Sequence, residues 1–116
     1  MILLEDPDLV HATSYRAFLA AIWFYMTPQA PKPSIHDVAS GFFVPTQSDL
    51  DKHLVFGFGV STNIINGGFE CGKGSETGKS QQRINAFKEF LNYFDLPAED
   101  EESMGCRKQP TGKNFP

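Results

Sequence analysis

The sequence lacks a surplus of positive charge: ten Lys and Arg stand against fourteen Asp and Glu, a net charge of −4. Binding to a polyanion needs a basic face or stripe, and none can be laid out here, so no nucleic-acid partner is expected. Long hydrophobic runs are lacking as well. The opening MILLEDPD has too short an apolar run for a signal peptide and no basic region ahead of it, and no segment approaches the ~20 apolar residues of a membrane span. A soluble chain with no membrane partner is the expectation. Cysteine is scarce: Cys71 and Cys106 are the two present. They belong to no Cys-x-x-Cys pair, so no metal site is expected, and they form either one disulfide or two buried thiols.

What is present favours one globular unit. A chain of 116 residues with 41% hydrophobic content and eleven phenylalanines is long enough to bury roughly 60–70% of its unfolded surface. Tyr15, Phe18, Leu19, Ile22, Trp23 and Met26 recur at helical spacing behind Thr13 or Ser14 as a cap, which predicts a helix over 13–27. Trp23, Phe24 and Tyr25 cannot all face one way, so at least one points outward; for Trp23 core packing is the expectation rather than sugar stacking. Pro28, Pro31 and Pro33 forbid continuation and predict an extended, polyproline-like connector carrying Gln29 and Lys32. SIHD and TQSD fit the Ser/Thr-x-x-acid capping pattern and open short helices at Ser34 and Thr46, the first closed by Gly41. Ile84, Phe87, Phe90, Leu91 and Phe94 mark an amphipathic helix over 79–94, after a glycine-rich loop. The segment 97–116 reads as an irregular, initially acidic tail.

The stretch NIINGGFECG, residues 63–72, carries the most chemistry. Val60, Ile64 and the two asparagines lie on helical spacing despite Gly57 and Gly59, so a helix is predicted up to Asn66, with Gly67-Gly68 as a left-handed stop. Asn63 and Asn66, three apart, share a face and could hydrogen-bond one ligand with two amides. As residues alone, both are better read as the helix-ending asparagines of an ordinary turn. His36, behind a cap, reads as a structural hydrogen-bonding group, and His11 and His53 carry no signal.

The order FLAAIWFYM, TPQAPKPSIHDV, GFGVSTNIINGGFECG and then a helix carrying Arg83 resembles the C-terminal half of the family 19 glycoside hydrolases, the plant-type endochitinases, from about Asp6 to Cys106. Two positions depart from the family pattern: Arg16 replaces an aliphatic residue and Tyr25 a tryptophan. The resemblance implies an all-α, lysozyme-like chitinase fold of which this chain holds the C-terminal portion. It implies inverting hydrolysis of β-1,4-linked N-acetylglucosamine, one glutamic acid protonating the leaving oxygen and a second activating water. In the family both glutamates precede the stretch matched here by DPDLV, residues 6–10, and this chain has no His-Glu dipeptide. No catalytic residue is therefore expected on it, and its apolar helix faces are expected to lie open, with the missing N-terminal lobe as a partner.

By position the resemblance makes Asn66, Gln29 and Lys32 contacts to chitin or a chito-oligosaccharide, with Asn63 structural, and pairs Glu70 with Arg83 beside the catalytic acid. The bland alternatives are a solvated loop charge for Lys32 and a surface ion pair for Glu70 and Arg83. The resemblance also joins Cys71 to Cys106, implies no cofactor and implies secretion to the extracellular space. Three function classes stay open: part of a chitinase, a chitin-binding chitinase-like protein without activity, and a structural protein that kept the scaffold.

Overall fold

The computed structural model describes residues 3–115. Met1, Ile2 and Pro116, the ends of the stretch read as one unit, lie outside the described residues. The all-α expectation holds: six α-helices occur among the described residues, with no strand beyond an isolated bridge between Gln29 and Lys32. They are α1 (Ser14–Met26), α2 (Ile35–Ala39), α3 (Gln47–Asp51), α4 (Phe58–Glu70), α5 (Gly78–Tyr93) and α6 (Glu101–Met104), flanked by 3-10 turns at Pro7–Val10 and Gly112–Asn114.

Local capping explains most boundaries. The Thr13 hydroxyl accepts from the Arg16 N–H at 3.2 Å. Ser34 with Asp37, and Thr46 with Asp49, form reciprocal capping boxes that satisfy otherwise orphaned N–H groups. Gly41 takes the left-handed conformation (φ 78°) just beyond α2. α4 has no capping side chain of its own; the carboxylate of Glu99, far along the chain, accepts from the Phe58 N–H at 2.9 Å.

α4 is the central element. It packs on α2, α5 and α6, and its Val60 and Ile64 meet Val38, Leu54 and Phe115 in the core, with Phe24, Ile35 and Phe43 against its edge. Gly59 is required for this approach, because a side chain there would fall on the Gly105 carbonyl oxygen beyond α6. The chain is bridged between Cys71, just past α4, and Cys106, their Cα atoms 4.9 Å apart. For a sequence separation of 35 residues the loop-entropy contribution is about 3–4 kcal/mol.

Four expectations are corrected. α4 does not stop at Gly67-Gly68 but runs to Glu70, and the left-handed glycine is Gly72 (φ 66°), because the helix is kinked at Asn66 rather than ended. The proline segment is a tight turn around a cis Ala30–Pro31 bond, with the Lys32 N–H donating to the Gln29 carbonyl at 2.9 Å, so the chain doubles back instead of extending. The segment from 97 onward is structured: Asp100 caps α6, and Met104, Cys106, Gln109 and Phe115 are buried. Trp23 is 59% exposed rather than in the core, since α1 leans chiefly on α2 and the Pro7–Val10 turn and buries no residue fully.

Apolar faces are open on two helices, α1 with Tyr15, Phe18 and Ile22, and α5 with Phe90, Tyr93 and Phe94. The radius of gyration of 15.3 Å exceeds the ~13 Å of a compact domain this long. We expect Gly59→Ala to lower stability in urea unfolding by about 2–3 kcal/mol, the cost of forcing backbones apart. An unchanged midpoint would show that α4 and the residues after α6 are not held at this distance.

Candidate functional site

The site is built on α4 and the start of α5. At Asn66 the backbone leaves helical geometry (φ −152°, ψ 36°), a break that contains no proline. One turn earlier Asn63 is fully buried. Its Nδ2 donates to Gln109 Oε1 at 3.2 Å and to the Pro110 carbonyl at 2.9 Å. Its carbonyl accepts from Lys32 Nζ at 2.6 Å. The two asparagines therefore do not form one bidentate face: Asn63 is turned into the interior, while Asn66 is half-buried on the wall of an open cavity.

That cavity, about 750 Å³, is lined by Asn66, Phe69, Glu70, Thr77, Lys79 and Gln82, among others. Glu70 is 1% exposed, a burial that a carboxylate tolerates when it is paired and hydrogen-bonded. Arg83, one turn into α5, supplies the pair: Nε donates to Oε1 at 3.1 Å and Nη2 to Oε2 at 3.2 Å, a two-point contact that fixes both planes. The Arg83 guanidinium holds the Glu70 carboxyl below its ordinary value of 4.5; burial pushes the other way, and the Asn66 amide adds to the lowering. The wall thus presents a fixed negative charge backed by a positive one, beside an amide and the exposed ring of Phe69.

Gln29 is exposed on the proline turn and Lys32 half-buried. Among the described residues neither lines this cavity. The ammonium of Lys32 lies 5.7 Å from the centre of the Phe115 ring, and burial pushes its pKa down. His36 sits among Tyr25 and Phe42. No group of three or more His, Cys, Asp or Glu side chains is placed to hold a metal ion, and no helix is long and apolar enough to cross a membrane, among the described residues.

Two structural residues carried no local signal. Gln109, 2% exposed, reaches α4 from 46 positions away. Glu76 accepts from Ser80 Oγ at 2.8 Å and from the Cys106 and Arg107 N–H groups at 3.0 Å each. All of these bonds except the one from Ser80 depend on the returning C-terminal segment, which spacing along the chain does not reveal.

Comparison with known proteins gives the following. The family model described as chitinase class I matches residues 1–106. Endochitinase 2 of Solanum tuberosum is 47% identical over 107 residues, 92% of this chain and 33% of that protein. Endochitinase A2 of Pisum sativum is 42% identical over 115 residues, 98% of this chain and 35% of that protein. Inactive chitinase-like protein 2 of Hevea brasiliensis is 49% identical over 94 residues, 81% of this chain and 27% of that protein. The chain spans about a third of the length of the curated relatives it matches.

The buried pair sets a pH dependence. A carboxyl whose folded pKa lies below its unfolded one stabilises the fold above the unfolded value, and that stability is lost as pH falls through the folded one. In Arg83→Met the buried Glu70 loses its partner and its pKa moves above 4.5. We expect the variant to be about 2–3 kcal/mol less stable at pH 7, below the range for a fully buried pair because Arg83 is partly exposed. The gap should close as pH falls through the variant's raised pKa and on through the lowered one of the wild-type Glu70. Urea unfolding at several pH values checks this, and a pH-independent gap would contradict it.

Proposed function

Because the chain belongs to glycoside hydrolase family 19, the class I chitinases, we propose that it forms one wall of a cleft that binds chains of β-1,4-linked N-acetylglucosamine. The observation that carries this reading is the placement of Asn66 and Glu70 on one open cavity, with Glu70 held from behind by Arg83. A chitin chain offers N-acetyl and hydroxyl groups that both donate and accept, and a carboxamide matches both without a charge to desolvate. Gln29 and Lys32, which do not line this cavity, are read as further sugar contacts on the proline turn from their positions in the family resemblance alone. Lys32 has further N–H donors beside the one given to Asn63.

The reaction assigned to the complete cleft is inverting hydrolysis, with a glutamic acid protonating the leaving oxygen and a glutamate activating water on the opposite face. In the family resemblance both glutamates belong to the region ahead of residues 6–10. The residues of this chain therefore bind and orient. Arg83, fixed by Glu70, presents positive charge where it would hold a facing carboxyl in place and tune its proton affinity. The bridged cysteines and the endochitinase relatives favour a secreted protein. The second reading, chitin binding without hydrolysis, is favoured by the relative described as an inactive chitinase-like protein.

Asn66→Ala should weaken binding of chitotetraose by about 1–3 kcal/mol through loss of a desolvated hydrogen bond, with the fold intact. Titration calorimetry on the 116-residue chain tests this, and an unchanged affinity would remove Asn66 from the wall. The same chain alone should release no sugar from chitin oligomers. Turnover that disappears on mutating a residue within it would overturn the assignment of the acid and base elsewhere.

A further inference from the structure

The kink at Asn66 needs a cause. Sharp kinks in helices arise at proline, at Gly/Ser pairs, at π-bulges, or where a side chain enters the hydrogen-bond ladder. Gly67-Gly68, directly after Asn66, give the backbone freedom to bend, and contacts from outside the helix set whether and where it does. No proline lies in α4. Asn63, one turn before the kink, has its side-chain Nδ2 and its backbone carbonyl engaged outside the helix. Its amide is drawn out to Gln109 and Pro110, and its carbonyl, whose regular helical partner would be the Gly67 N–H, accepts from Lys32. Its Oδ1 has no hydrogen-bond partner among the described residues and lies against Gly67, where even a methyl group would collide with it. The Asn63 side chain thus lies along the face of α4 that Gly67 leaves free of a side chain, pinned there from outside the helix, and the backbone departs from helical geometry at residue 66, between the two.

We propose that Gln109 is a positioning residue of the sugar-binding wall: through Asn63 it holds the kink in α4 that directs the Asn66 side chain to the cavity. The value of that direction rests on the reading of Asn66 as a sugar contact. Gln109 is suited to the role because it is itself fixed. It is 2% exposed, its Nε2 donates to the Gly105 carbonyl at 3.3 Å, and it lies three residues beyond the bridged Cys106. A buried amide pair of this kind has a defined partner and direction, whereas an apolar contact of the same volume has neither.

The discriminating variant is Gln109→Met, which keeps the volume and removes both hydrogen bonds. The readouts are the HN–Hα coupling of residue 66 by NMR, large for the observed φ and small for a regular helix, and the chitotetraose affinity well below the unfolding temperature. Gln109→Met should bring the coupling down to its helical value and weaken binding about fivefold or more. Combined with Asn66→Ala it should bind no more weakly than Asn66→Ala alone, since both changes remove one contact. Gln109→Glu at about pH 5, where burial keeps the carboxyl neutral, supplies an acceptor and a donor again and should restore both readouts. It also decides the matter should Gln109→Met not fold. A coupling that stays large in folded Gln109→Met, effects of the two substitutions that multiply, or a Gln109→Glu chain that folds without the kink would each overturn the proposal. If Asn66→Ala itself leaves the affinity unchanged, the reading of the wall fails, and the coupling still decides the role of Gln109.

Discussion

The grip of the C-terminal segment on α4 is the constraint on which the rest of the structure depends. It acts at three places: the Cys71–Cys106 bridge at the end of the helix, the Asn63 amide held by Gln109 and Pro110 in its middle, and Glu99 capping its first turn. Glu76 ties the same segment to the start of α5 by accepting from two successive backbone N–H groups. Bonds to a charged acceptor are each worth about 1.5–3 kcal/mol, more than a neutral pair. With a buried core cluster of five among the described residues, Val38, Leu54, Val60, Ile64 and Phe115, such bonds decide which way α4 faces.

The consequences run in opposite directions on the two sides of the molecule. Where the C-terminal segment returns, Asn63, Cys71, Met104, Cys106, Gln109 and Phe115 are buried, and Asn63, Gln109 and Glu76 are tied by hydrogen bonds between segments. On the far faces of α1 and α5 the apolar residues stand in solvent, Phe18 at 72% and Tyr93 at 81% exposure. Apolar surface of this extent marks a site of contact with something else. The cavity wall is carried by α4 and the start of α5, the two elements that the C-terminal segment ties down, and a binding group fixed in direction before the ligand arrives has to stand on such a support.

The sequence made the locally determined features legible. Thr13, Ser34 and Thr46 cap helices because the accepting side chain and its N–H partner are three residues apart, and the bounds of α1 and α5 fall within one residue of expectation for the same reason. Amphipathic spacing located α5, yet of its apolar stripe Ile84 is buried and Phe87 stacks on Phe58 while Phe90 and Phe94 are exposed. Periodicity marks a face and is silent about what covers it. Gly67-Gly68 looked like a stop because paired glycines are the usual left-handed end. Here Gly67 is needed instead for the close approach of Asn63 Oδ1, a partner set by contacts that no window of sequence contains. The contact of Glu70 with Arg83 and the joining of Cys71 to Cys106 were reached through the family resemblance, not from spacing. The contacts of Gln109 with Asn63 and of Glu76 with the Cys106 and Arg107 N–H groups, each spanning 30 or more residues, gave no sign at all.

If the C-terminal segment is what holds α4 in its kinked, forward-facing form, the two should lose structure together. Native-state hydrogen exchange of the chain with the Cys71–Cys106 bridge intact and after mild reduction measures this directly. The account predicts that reduction lowers protection of the α4 amides and of residues 101–115 by the same free energy, as one cooperative unit. Rapid exchange of residues 101–115 with α4 protection unchanged would contradict it.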